Sequence, residues 1–275
     1  MLKIGFIDFY LDEWHANNYP KWIKEESNGE MEVAYAYGLV DAPNGRRTSA
    51  QWCADMGIAR CMSMEELIEK SDRLIVLSPD NCEMHECLCQ LPLRSGKPTY
   101  IDKTFASDYD TAKRIFDVAD QYGTPCYTTS ALRYTAEYEG LKDVQAIASW
   151  GPGNLETYSI HQLEPIMMLM QADVKRVLYT GQPNWFTLTM EFADGRHATL
   201  TSYAEGSPFM MNICAKEGCQ VVNAQSNSWP TFTRVLVDFF RTAQVPVAHE
   251  ETLRIMRART AAMIAEKHPG QWIEA

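Results

Sequence analysis

The chain has 275 residues, 46% hydrophobic and 22% charged, enough apolar material for one large or two ordinary domains without disulfide staples. Its formal net charge of −11 repels nucleic acid backbones and anionic lipid, so neither is an expected partner. No segment approaches the roughly 20 apolar residues that span a bilayer. Met1-Leu2-Lys3-Ile4 enters a strand pattern at once, without a signal-peptide layout, so the expected location is the cytoplasm and the eight cysteines are expected to be reduced.

Strand and helix signals alternate through the first half. Leu2 to Ile7 is a short apolar run ending at Asp8, residues 13–27 carry a helical pattern, and Met31 to Tyr37 is a second strand. Ser63 is the N-cap for a short helix over Met64-Glu65-Glu66-Leu67-Ile68. Arg73 to Leu77 is nearly all apolar, as in a strand covered on both faces. A helix follows Ser78-Pro79-Asp80 and stops at Ser95-Gly96, Pro98 to Ile101 is the next strand, and Gly123 ends a helix over 108–122. Such units predict a doubly wound parallel sheet with right-handed crossovers.

The second half changes character, with the domain change near 124–130, giving domains 1–127 and 128–275. A helix is predicted near 134–142, a strand near 144–150 and a helix over 157–171. Trp185 to Phe192 alternates, Ala193-Asp194-Gly195 turns and His197 to Tyr203 returns; Lys216-Glu217-Gly218 makes a further turn between strands. Helices near 231–243 and 250–267 close the chain. Trp185, Phe186 and Phe192 are divided by alternation between a core face and a face suited to a subunit interface, and Met167, Met168 and Met170 read as core. Cys82, His85 and Cys89 share a helix face, but structural zinc needs four ligands, so packing is the reading and no metal is expected.

Several segments together resemble the Gfo/Idh/MocA family, the glucose–fructose oxidoreductase and inositol dehydrogenase relatives. They are Ser78-Pro79-Asp80 with His85, then Ser95-Gly96-Lys97-Pro98-Thr99-Tyr100-Ile101-Asp102-Lys103-Thr104, which is similar to the family's helix and G-K-P-V-Y-V-E-K-P strand. Next come Thr129 to Tyr134 at the entry to the second domain, and Ile160-His161-Gln162-Leu163-Glu164, similar to its H-x-x-D helix. Phe192 to Gly195 and Ala215 to Gly218 match two turns of its C-terminal sheet, so the likeness covers nearly the whole chain. The resemblance implies a Rossmann-like N-terminal domain and a C-terminal α/β domain with a largely antiparallel sheet. It also implies subunit pairing through that sheet as a homodimer or homotetramer, and NAD- or NADP-linked chemistry on a sugar or polyol. It puts Lys103 and His161 at the catalytic positions with Glu164 beside His161, Lys103, Arg133 and Thr157 against substrate, and Ser78, Asp80, His85 and Asp102 with Asp8 and Tyr10 around the cofactor.

The pattern breaks at the first turn. The family's G-x-G-x-x-G permits a tight turn and close approach of a pyrophosphate, whereas Asp8, Tyr10 and Glu13 stand about where the glycines belong and Gly5 lies inside the strand. Like charges ~4 Å apart cost about 4 kcal/mol at an effective dielectric of roughly 20, or about a thousandfold in affinity. The loop therefore reads as suited to standing empty or to a ligand other than a diphosphate in the usual pose; the alternative is a dinucleotide with a shifted pyrophosphate. Thr104 replaces the family's proline, and Thr157 stands where an aspartate is frequent. Glu164, three residues after His161, is spaced to meet its ring. Arg133 pairs with a substrate oxygen or forms an interdomain salt bridge.

The leading expectation is an NAD(P)-linked oxidoreductase acting on a sugar, polyol or related hydroxy compound. A cofactor-independent carbohydrate isomerase or lyase using Lys103 and His161, and a non-catalytic sensor or partner subunit, are the alternatives.

Overall fold

The computed structural model describes residues 1–183, 185–203 and 206–275. It forms two compact units, Met1–Thr129 with Phe232–His249, and Ser130–Thr231 with Glu250–Ala275. The sequence reading divides the chain once, at 127/128, and has no counterpart for the return of Phe232–His249 to the first unit.

In the first unit the order is β1 (Leu2–Asp8), α1 (Trp14–Glu26), β2 (Met31–Gly38), α2 (Ser49–Met56), β3 (Ala59–Arg60), α3 (Met64–Lys70) and β4 (Arg73–Val76). Then follow α4 (His85–Arg94), β5 (Thr99–Ile101), α5 (Tyr109–Tyr122) and β6 (Cys126–Tyr127). The strands form a six-stranded sheet in the order β3-β2-β1-β4-β5-β6, parallel throughout. This is the doubly wound order of dinucleotide-binding sheets, in which ligands sit at the carboxyl ends of the central strands. Both faces are covered: Ile4, Phe6, Ile7, Leu74, Ile75 and Val76 are fully buried. Gly5 lets α3 approach β1, because a Cβ there would lie 2.5 Å from Leu67 Cδ2. Side chains start the helices: Thr48 and Gln51 form a capping box on α2, Ser63 accepts from Glu66 N on α3, and Asp108 from Thr111 N on α5.

The second unit holds a seven-stranded sheet of β7 (Val144–Pro152), β8 (Val174–Gln182), β9 (Trp185–Phe192), β10 (His197–Tyr203), β11 (Met210–Ala215), β12 (Gly218–Asn223) and β13 (Trp272–Glu274). Its order is β12-β11-β7-β10-β9-β8-β13, antiparallel except where β7 meets β10. Its core joins the sheet to α7 (Ile160–Met170) and α9 (His249–Glu266), with Phe186, Leu188, Met190 and Phe192 against Leu163, Ile166, Met167, Met170, Ala258 and Ala262. Phe186 and Phe192 are thus core, while Trp185, 57% exposed, lies on the other face opposite Tyr203.

Several expectations are corrected. The predicted helix at 134–142 is a pair of 3-10 turns, Ala131–Tyr134 and Ala136–Tyr138, because Thr135 is extended and its hydroxyl donates to Ala224 O at 2.7 Å. The predicted helix at 157–171 is split into α6 (Leu155–Tyr158), capped by Asn154, and α7. The remaining helix, α8 (Ser228–Thr242), belongs to the first unit from Phe232 onward. Cys214 and Cys219 are not separate thiols: they face each other across the β11–β12 hairpin and are joined as a disulfide. Among the described residues no helix is long and apolar enough to cross a membrane.

Candidate functional site

In the first unit, chemistry gathers at the carboxyl ends of β1, β4 and β5. Asp8 ends β1 and is 1% exposed, and its Oδ2 is unbonded among the described residues. Burial, with Glu13 and Asp102 nearby, pushes its carboxyl well above the usual range, so Asp8 tends to hold its proton. Glu13 is the N-cap of α1 and is 4% exposed. Its Oε2 accepts from His15 N at 2.6 Å and its Oε1 from Ala16 N. Burial pushes the Glu13 carboxyl up to about 7, against the lowering pull of His15 and these two backbone bonds.

Asp102, fully buried, is committed within the protein. Its Oδ2 lies 2.5 Å from His15 Nδ1 and its Oδ1 3.1 Å from the Tyr100 hydroxyl. Burial opposes its ionisation, but His15, Lys103 and His85 outweigh burial and hold its carboxyl below the usual value. The His15 ring stacks on Tyr19 at 5.1 Å. Lys103, 9% exposed, follows β5 and donates from Nζ to Pro79 O at 3.1 Å; its peptide to Thr104 is cis.

The other residues expected around a cofactor differ in surroundings. His85 is fully buried and both ring nitrogens meet carbonyls, Leu77 O at 2.7 Å and Phe105 O at 3.1 Å, so it ties the end of β4 to the loop after β5. Ser78 is buried with φ +97°, a conformation a non-glycine residue rarely adopts, and its hydroxyl donates to Asn81 O at 2.9 Å. Asp80 is exposed, and Tyr10 is half-buried with the Arg46 guanidinium 5.9 Å from its ring centre. Among the described residues no group of three or more His, Cys, Asp or Glu side chains is arranged to hold a metal.

In the second unit, His161 Nδ1 lies 2.7 Å from Ser130 Oγ, and the backbone N–H of the same Ser130 donates to Glu164 Oε2 at 2.5 Å. Ser130 thus links Glu164 to His161. Arg133 lies 3.6 Å from Glu164 and 2.5 Å from Glu251. Burial disfavours its charge, yet the two carboxylates raise its pKa above the ordinary value. Both carboxylates belong to its own unit. Thr157 is part of the α6 cap, its N and hydroxyl each 2.8 Å from Asn154 Oδ1. A surface cleft of about 410 Å³ in this unit, beside Lys142, Glu217 and Cys219, contains none of the predicted site residues.

Three placements come from the fold and not from the sequence reading: the two backbone bonds of Glu13, the His15–Asp102 pair and the Ser130 hydroxyl. Glu13 carried a signal, since an acid just before a helical pattern is a start marker. His15 with Asp102 and Ser130 with His161 join residues 87 and 31 positions apart, which no local pattern reports.

The nicotinamide dinucleotide that this sheet order implies must fit the α1 N-terminus. There the fold offers unpaired backbone N–H groups to a diphosphate. Those of His15 and Ala16 are held by Glu13, and Asn17 N already bonds Glu13 O at 3.0 Å. With Asp8 and Asp102 behind them, these residues do not fit a diphosphate in that place.

The fold is that of a two-unit α/β protein with a doubly wound parallel sheet in its first unit and a mostly antiparallel sheet in its second. No protein-family model matches the sequence, and no curated protein matches it. Solved structures match over the full chain. A probable dehydrogenase from Thermotoga maritima is 12% identical, with 99% of this chain and 98% of that one covered and a TM-score of 0.81. GenD2 from gentamicin A biosynthesis, solved in complex with NAD, is 11% identical, covering 100% and 96% at a TM-score of 0.82. Scyllo-inositol dehydrogenase from Lactobacillus casei, solved with NAD(H) and scyllo-inositol, is 14% identical, covering 100% and 99% at a TM-score of 0.77. The chain therefore shares the fold of these dehydrogenase structures over its full length, as the resemblance implied, in a sequence far diverged from them.

Proposed function

We propose that this chain is a carbohydrate- or polyol-directed enzyme on a dehydrogenase fold, with Lys103 and His161 as the groups that handle a substrate proton. The observation that carries the reading is Lys103 Nζ, 9% exposed and fixed on Pro79 O at the carboxyl end of the sheet, where this fold puts its ligands. An ammonium held there can support a substrate oxygen as charge develops on it, and an imidazole oriented through Nδ1 can take or return a proton. Glu164 is a positioning residue that holds Ser130, and Ser130 holds the His161 ring.

Proton-transfer chemistry without a dinucleotide, an isomerisation, elimination or hydration, is the form that the filled α1 N-terminus supports. It predicts deuterium uptake at a substrate carbon in D2O, followed by NMR over a panel of aldoses, ketoses and uronates with no nucleotide added. Lys103→Ala and His161→Ala should each abolish the exchange. An inert panel with the wild-type protein would count against it.

A second reading, NAD(P)-linked oxidation or reduction, is favoured by the neighbours solved with NAD or NAD(H). It predicts nucleotide-dependent turnover of a sugar or polyol, read as absorbance at 340 nm. Assembly as a homodimer or homotetramer through the second unit's sheet rests on Trp185 and Tyr203, which are paired and 57% and 51% exposed. Sedimentation at micromolar concentration tests it, and a monomer there refutes it.

A further inference from the structure

We infer that Glu13 is a built-in anion that occupies the diphosphate position of the first unit, so that the chain excludes dinucleotides there, and that removing this one carboxylate opens an anion site. The inference concerns binding alone and stands apart from whatever chemistry Lys103 and His161 perform.

Geometry carries it. Glu13 spends both carboxylate oxygens on backbone donors of α1, one on His15 and one on Ala16. These belong to the small set of amides that a helix start leaves unpaired. An incoming phosphate would have to displace a charged hydrogen-bond partner already seated at the positive end of the helix dipole. It would also approach Asp102, buried beside the same loop with its carboxyl held below the usual value.

The loop is pinned in this shape. Asp12, one residue before Glu13, accepts from Arg47 NH2 at 2.5 Å and Arg47 N at 3.0 Å. Arg47 NH2 also reaches Asn17 Oδ1 at 2.7 Å, and Trp52 Nε1 donates to the same oxygen at 2.8 Å. Asp12 is therefore tied to the segment after β2, and Asn17 of α1 to that segment and to α2. Behind it, His15 is fixed on Asp102. A diphosphate in the usual pose would require this connected set to come apart, whereas a bare glycine turn requires nothing to move.

One carboxylate in contact with a phosphate weakens binding by roughly a thousandfold. The wild-type chain is therefore expected to show no heat of binding for inorganic pyrophosphate, NAD⁺, NADH, NADP⁺ or NADPH below millimolar concentration at pH 8. Glu13→Ser keeps a neutral N-cap and releases at least one backbone donor, and it should bind pyrophosphate at least tenfold more tightly than wild type. Circular dichroism checks that the variant is folded; Glu13→Gln serves in its place if it is not. Micromolar binding of any of these five ligands to the wild type overturns the inference, as does a folded variant whose pyrophosphate affinity is unchanged. The deuterium-exchange assay needs no nucleotide, so its failure and the failure of this inference are separate results.

Discussion

Glu13→Gln separates the charge of the α1 cap from its shape. In the native chain the Glu13 carboxyl, 4% exposed, is raised from 4.5 to about 7 chiefly by burial. A carboxyl raised on folding contributes stability that is complete below the unfolded value, falls between pH 4.5 and about 7, and is gone above that. At about 1.4 kcal/mol for each pH unit in that interval, the loss is roughly 3 kcal/mol. A glutamine keeps one acceptor for the His15 and Ala16 donors and loses the other, costing about 1 kcal/mol at every pH. The variant should be about 1 kcal/mol less stable than wild type at pH 4 and about 2 kcal/mol more stable at pH 8. Removing the Glu13 charge also relieves Asp8, whose carboxyl it helps to raise. Thermal melts of both proteins at pH 4, 6 and 8 read this as a gain of roughly 4–8 °C at pH 8 and a smaller loss at pH 4. If the difference between the two proteins is the same at pH 4 and pH 8, the carboxyl does not titrate between them and the reasoning fails.

Gly5→Ala should cost roughly 1–3 kcal/mol in a denaturant melt, because the new methyl would lie 2.4 Å from Ser71 Oγ and 2.5 Å from Leu67 Cδ2. Ser130→Ala removes the hydroxyl 2.7 Å from His161 Nδ1 and should lower the exchange rate constant by about 10- to 100-fold, with substrate affinity little changed. Arg133→Met leaves Glu164 and Glu251 facing each other without their cation and should destabilise the chain by about 3–5 kcal/mol, with partial recovery in Arg133→Met/Glu251→Gln.

The sheet of the first unit was legible because its strands are short apolar runs fenced by recognisable caps and stops. Ser63 before α3 and Gly123 after α5, the latter in the left-handed region at φ +61°, do what their positions imply. Helix α2 escaped notice although Thr48 and Gln51 form a capping box, since only Ser49, Trp52 and Cys53 are buried and no clear apolar stripe results. The 3-10 turns after Ser130 misled for the opposite reason. The segment has helical composition, but Thr135 bonds Ala224, 89 residues away, and that contact breaks the helix. At the site, Lys103 and His161 were reached through resemblance and Glu13 through its misfit to a glycine pattern. The partners that fix their roles, Pro79 O, Ser130 Oγ and the His15–Asp102 pair, exist only after folding.

The order of a doubly wound sheet is set by which apolar strands bury against which helices, and the phosphate-binding glycines contribute little to that burial. A chain can therefore lose the turn and keep the architecture, provided the polar groups that the turn left for a ligand find other partners. Here they do so internally. The α1 donors turn to Glu13, the His15 ring turns to Asp102, and Asp12 turns to Arg47. Buried Asp8 is the exception, for its Oδ2 stays unbonded among the described residues and its carboxyl tends to retain a proton. On the inference drawn above, such a corner leaves a nucleotide no open donor on His15 or Ala16. A corner that only tolerated an empty site would have kept open donors and small side chains in place of three acids and an imidazole.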